Sequence, residues 1–239
     1  MRNNRPAWRL AARAAGGCAR ACGVLLLCAS SLCRAASPPQ PSAWTESFVS
    51  RVEALALLET LNSDLLSHDS ATATLERWCA AHRLATPAHM VAVRVPNVDK
   101  PPSPALRSLL KVAPQTAVRY RRVRLECGAL VLSEADNWYV PDRLTPAMNA
   151  LLDSTETPFG VVVRPLNFQR HTLSSTLLWM PLPAGWEMDA HSQRQLGAEP
   201  IRSQILEHRA LLTLPDGTPF STVIETYTNN VLAFAAVQP

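Results

Sequence analysis

At 239 residues, 47% hydrophobic and 18% charged, the chain has ordinary globular composition and room for a real core, in one large domain or two small ones. Its formal net charge of +4 belongs to the first 36 residues, which hold Arg2, Arg5, Arg9, Arg13, Arg20 and Arg34 and no acid. Without those six arginines, 17 basic residues face 19 acidic ones for a net charge of −2, and no Lys/Arg stripe with interleaved aromatics survives, which excludes recognition of nucleic acid by a basic surface.

The basic start leads into an apolar stretch, Gly23 to Leu32, with the small residues Cys33 and Ala35 placed for cleavage. A membrane-spanning helix needs roughly 20 apolar residues, about twice what is present. The pattern predicts a cleaved signal peptide over 1–36 and one exported domain over 37–239, periplasmic or secreted, with no stable membrane insertion after cleavage. A mis-assigned start codon would leave the domain cytoplasmic. Four of the six cysteines go with the leader, leaving Cys79 and Cys127. These two either pair in an oxidising compartment or serve as small buried apolar groups. No CxxC pair or His/Cys cluster has metal-ligand spacing, so no metal is expected.

After the proline-rich residues 37–42, Trp44, Phe48, Val52, Leu55, Leu58, Leu61 and Leu65 recur at steps of three and four, the stripe of a first helix. Asp69 and Ser70 are cap residues for a second helix carrying Leu75, Trp78 and Leu84, which Pro87 ends. Met90 to Val95 reads as a strand, and the prolines at 96, 101, 102 and 104 predict an irregular loop after it. Residues 118–126 and 129–139 form two strands around Cys127-Gly128, and Thr145 with Pro146 opens a helix that Pro158-Phe159-Gly160 stops. Strands are expected at 161–168 and 172–180, then an irregular segment from Pro181 to Pro200. A hairpin, 204–214 with 219–227, closes the pattern through Pro215-Asp216-Gly217-Thr218. Short connections between successive strands predict a single antiparallel sheet with helices on one face, an α+β fold.

Two strand positions stand out chemically. Alternation separates Tyr120, Arg122, Arg124 and Glu126 from Arg121, Val123, Leu125 and Cys127, and one of these faces is covered. An arginine on a covered face suits a buried carboxylate, because its planar fork donates two parallel hydrogen bonds; on an open face it pairs with neighbouring acids. Glu225 sits in the apolar run VIETY, where a carboxylate either faces solvent or is buried with a purpose.

These residues, taken together, resemble the bacterial chorismate lyases. The resemblance runs from about residue 60 to 230 and is carried by Asp69-Ser70-Ala71-Thr72, the strand Arg122 to Cys127 leading to Tyr139-Val140-Pro141, the turn Thr157-Pro158-Phe159-Gly160, and Gly217-x-Pro219 followed by Glu225. It implies a sheet of about six strands, an enclosed pocket for a small aromatic acid, no metal or organic cofactor, and a monomer. Arg122 resembles the family's arginine on the ring carboxylate, and Glu225 the glutamate that meets the ring hydroxyl. Phe159 and Ala71 fall on ligand-contacting positions, and Asn137 stands where the family has a second arginine. If the chemistry carried over, Glu225 and Arg122 would be catalytic in eliminating pyruvate from chorismate to give 4-hydroxybenzoate. Asn137 supplies no charge for a dicarboxylate, and an exported protein is separated from cytoplasmic chorismate. Both departures point to the alternative, an exported protein that keeps the pocket and binds without turnover. A hydrolase has little behind it: Ser174, Ser175 and His171 lie together without a nucleophile elbow.

Overall fold

Alternating burial shapes the sheet from its first long strand. The computed structural model describes residues 47–188 and 201–236, all within the compact unit Ser37–Pro239. The expected leader, the cleavage site, Trp44 and most of the segment before Pro200 lie outside the described residues. In β2 (Arg119–Cys127) residues 121, 123, 125 and 127 are buried, while Arg124 is exposed and Arg122 and Glu126 only partly covered. The other strands are β1 (Met90–Arg94), β3 (Leu130–Tyr139), β4 (Gln169–Leu177), β5 (Gln204–Thr213) and β6 (Pro219–Thr228). They form one six-stranded antiparallel sheet in the order β1-β2-β3-β6-β5-β4. The α+β fold with a single antiparallel sheet is therefore present as expected.

Two helices cover the inner face. In α1 (Phe48–Leu66) Ala54, Leu58, Leu61 and Leu65 are buried, and Ser47 caps the helix by accepting from the amide of Ser50 at 3.1 Å. Ser70 caps α2 (Ala71–Ala81) in the same way, accepting from Ala73 at 3.2 Å. Leu58 and Leu61 of α1 and Leu75 of α2 share one core with Val123, Leu125, Ala135 and Tyr227 of the sheet. Cys79 and Cys127 form a disulfide that ties α2 to the end of β2. Gly128, which turns β2 into β3 at φ +58°, leaves no room for a side chain, because a Cβ there would come within 2.7 Å of the Ala85 Cβ.

Three expectations needed correction. Residues 161–168 are not a strand: Phe159–Val163 is a helical turn, α5, followed by a 3₁₀ turn over Arg164–Leu166 that Asn167 ends at φ 50°. Val162 and Val163 are buried in a cluster with Leu152 of α4 (Pro146–Ser154), so burial overrides the strand preference of three successive valines. The proline-rich loop contains α3 (Pro104–Leu109), which starts on a proline and is capped by Ser103, where the missing amide costs nothing. The same segment is fastened to β3, where the Trp138 indole donates to the Lys100 carbonyl at 2.7 Å. Finally, β4 begins at Gln169 rather than 172, which brings Arg170 onto the strand. No helix among the described residues is long and apolar enough to cross a membrane.

Candidate functional site

Register places polar groups side by side on the inner face. Arg121 of β2 stands opposite Asn137 of β3, which stands opposite Val223 of β6; the next row along holds Val123, Ala135, Glu225 and His208. With strands about 4.8 Å apart and about 3.4 Å per residue, the Cα atoms of Arg121 and Glu225 are roughly 12 Å apart across the sheet. Their side chains face a cavity of about 550 Å³, its mouth included. Val123, Leu125, Leu212 and Val223 line its floor, and Phe159 and Phe168 contribute aromatic walls. Phe159 is held by Tyr139 and Phe220, with ring centroids 5.5 and 6.4 Å away. The roof is the start of α2 together with Phe159-Gly160. Gly160 matters here: a Cβ would come within 3.4 Å of the Ser70 hydroxyl.

The arginine in this cavity is Arg121 rather than Arg122. Arg122 points to the opposite face, where it bonds Glu134 at 2.9 Å and Asp136 at 3.4 Å. It cannot hold an acid in a cavity shared with Glu225, and the cause is strand alternation: Val123, Leu125 and Cys127 carry the apolar face, and Arg121 shares their parity. The outward-facing expectation for an open arginine, pairing with neighbouring acids, describes Arg122. Arg121 is 4% exposed, and among the described residues its guanidinium makes one hydrogen bond, from Nη2 to the Thr157 carbonyl at 3.3 Å. Its Nε and Nη1 are buried without a partner. Burial, helped by the Arg94 guanidinium, lowers its pKa to about 10, so it stays charged at neutral pH.

Ala71, Asn137, Phe159 and Glu225 all line the cavity. Asn137 is buried, and its Oδ1 accepts from the Ser221 hydroxyl at 2.6 Å. Glu225 is 6% exposed, and its Oε2 accepts from Arg170 Nη2 at 2.6 Å and from the Tyr227 hydroxyl at 3.1 Å. Arg170 falls between the strands expected at 161–168 and 172–180, and the structure places it on β4. Burial pulls the Arg170 pKa down, and Glu225, Tyr227 and Asp69 together more than offset it, while burial first and Glu225 second push Tyr227 well above the usual phenol range. The His171, Ser174 and Ser175 group forms no dyad: His171 Nε2 meets the Thr213 hydroxyl at 2.9 Å, and Ser175 donates to Asn62 at 2.8 Å. Among the described residues no three His, Cys, Asp or Glu side chains gather to hold a metal ion.

Beside Glu225, His208 is fully buried, with Nε2 on Asn62 Oδ1 at 2.8 Å and Nδ1 without a partner. Burial lowers its pKa to about 4, with Arg170 acting in the same direction and Glu225 against it. An unfolded histidine titrates near 6.5, so between about pH 6.5 and 4 the unfolded chain binds the extra proton and stability falls as pH falls. Denaturant titrations at pH 7.5 and 4.5 are expected to show a loss of about 2 kcal/mol that His208→Gln removes. An unchanged slope in the variant would assign the loss to other groups.

No protein-family model matches the chain. The uncharacterized protein y4mC of Sinorhizobium fredii (strain NBRC 101917 / NGR234) is 54% identical over 198 residues, covering 81% of this chain and 82% of that protein. Among solved structures, PhnF from Mycobacterium smegmatis aligns at 14% identity with a TM-score of 0.40, over 59% of this chain and 59% of PhnF. Its effector domain alone gives 0.40 at 15% identity, over 59% and 82%. A GntR-family transcriptional regulator from Enterococcus faecalis V583 gives 0.38 at 10% identity, over 58% and 93%. These structural likenesses are partial, and no function is drawn from them.

Proposed function

For a chain that belongs to the same family as the uncharacterized protein y4mC of Sinorhizobium fredii, we infer a protein that binds one small aromatic carboxylic acid inside the sheet-and-helix cavity and does not turn it over. The observation that carries this is Arg121, a charged guanidinium buried with two nitrogen donors unmatched. Such a group is expensive to keep unless an anion joins it. The first turn of α2 lines the same cavity, and its amide end favours negative charge there. Apolar and aromatic walls suit a single ring, and Glu225, an acceptor on the far side, suits a hydroxyl at the ring's other end. Arg121 thus takes the role the resemblance gave to Arg122.

Catalysis is the less favoured reading. Glu225 is already committed to Arg170 and Tyr227, whose hydrogen bonds hold its carboxylate in place rather than free to reach a substrate proton. The Cys79–Cys127 disulfide and the signal-like start support an oxidising compartment, which would keep the protein from cytoplasmic chorismate. A thermal-shift screen tests binding. At a hundred times Kd, benzoate or 4-hydroxybenzoate should stabilise by about 2.7 kcal/mol, a rise of roughly 5 to 10 °C, and benzyl alcohol should not. Incubation with chorismate should yield no 4-hydroxybenzoate above the uncatalysed rate. A screen in which no aromatic acid shifts the transition overturns the binding reading, and steady product formation overturns its non-catalytic half.

A further inference from the structure

The cavity's charges are unevenly partnered, and that unevenness is informative about its ligand. Only two cations line it among the described residues, Arg121 and Arg170. The charge of Arg170 is matched, although its Nε has no partner: its side chain and that of Glu225 are 5% and 8% exposed and bonded at 2.6 Å, so together they present no net charge. Arg121 is unmatched. Next to it, the Ser221 hydroxyl occupies Asn137 Oδ1, which leaves the amide NH2 as the group Asn137 can offer. A carboxylate can therefore find a charged donor and a neutral donor on adjacent strands without a second positive charge being present. The remaining carboxylate on the lining is Asp69, at the exposed rim, where its Oδ1 accepts from the Arg170 amide at 3.1 Å.

We propose that the cavity selects ligands with a single negative charge, one-ring monocarboxylates, and turns away dicarboxylates of the same shape. This rests on the carboxylic-acid reading above and narrows it. One carboxylate compensates Arg121. A second, reaching toward Glu225, would be buried beside a like charge with the nearest guanidinium already taken, and a buried charge without a partner is heavily penalised. The substitution of Asn137 for a cation and the closure of Arg170 onto Glu225 act together: the first leaves one charge at the near end, the second leaves none at the far end.

Matched pairs that differ by one charge and little else test this. Terephthalate against 4-carbamoylbenzoate, and isophthalate against 3-carbamoylbenzoate, would be titrated calorimetrically at neutral pH beside benzoate. At least one amide should bind, and its dianionic partner should bind on the order of a hundredfold more weakly. In Glu225→Gln, where Arg170 is released, that gap should close by about tenfold. If benzoate binds and a dianion binds as tightly as its amide, the charge selection is wrong while the carboxylate reading stands. If benzoate binds and both amides are rejected with both dianions, size alone decides and the proposal is overturned. If benzoate itself fails to bind, the carboxylate reading falls and this inference with it.

Discussion

Arg121→Met is expected to make the unliganded protein more stable and, at the same time, unable to bind aromatic acids. The wild-type side chain buries a charge with Nε and Nη1 unpartnered beneath the start of α2. A buried charge without its partner is costly, and an apolar chain of similar length removes that cost; a gain of about 1 to 3 kcal/mol, a few degrees in Tm, follows. Affinity for 4-hydroxybenzoate should fall at least about thirtyfold, since removing one member of a buried hydrogen-bonded charge pair costs roughly 2 to 5 kcal/mol. The control is one residue away. Arg122→Met removes only partly exposed pairs with Glu134 and Asp136, so stability should change by less than about 1 kcal/mol and binding not at all. Calorimetric titration and differential scanning on the same samples give both numbers. An Arg121→Met protein that is less stable than wild type yet still binds would show that Arg121 is a structural group.

Glu225→Ala should be the most damaging single change at the site. It strands the Arg170 guanidinium, whose Nε already lacks a partner, and removes the acceptor of the buried Tyr227 hydroxyl. Breaking a buried ion pair from one side costs about 3 to 5 kcal/mol, a large share of a domain's stability. The double variant Arg170→Met with Glu225→Leu should recover most of that loss, because no charge is left alone and the Tyr227 hydroxyl is the one group of the cluster still without its acceptor. Urea titrations of the three proteins decide it. A single-variant loss under 1 kcal/mol, or a double variant no better than the single, would contradict a desolvated pair.

The sheet was legible because its strands alternate and its turns carry their own chemistry. Asp216 Oδ1 accepts from the Thr218 amide and Gly217 takes φ +81°, as the hairpin at 215–218 requires. Caps at Ser70 and Thr145 were equally readable, since a hydroxyl accepting from a first-turn amide is a local event. Residues 159–163 were not, because what makes Val162 and Val163 helical is burial against α4, which local propensity does not contain. At the site, Glu225, Asn137, Phe159 and Ala71 reach the cavity, while Arg122 does not. The signal for Arg121 is in the sequence: it shares the parity of the apolar Val123, Leu125 and Cys127, which sets it inward and Arg122 outward. Arg170 had no comparable signal, because β4 is an edge strand whose residues are mostly exposed and its start falls beside a turn. Its role follows only from Glu225 lying two strands away in space and 55 residues away in sequence.

A crystal structure of the protein with 4-hydroxybenzoate tests the central claim most directly. Electron density for the acid inside the cavity, with its carboxylate within about 3 Å of Arg121 Nε or Nη1, is the expected result. A ring bound on the outer face beside Arg122, or an acid whose carboxylate lies away from Arg121, would contradict it.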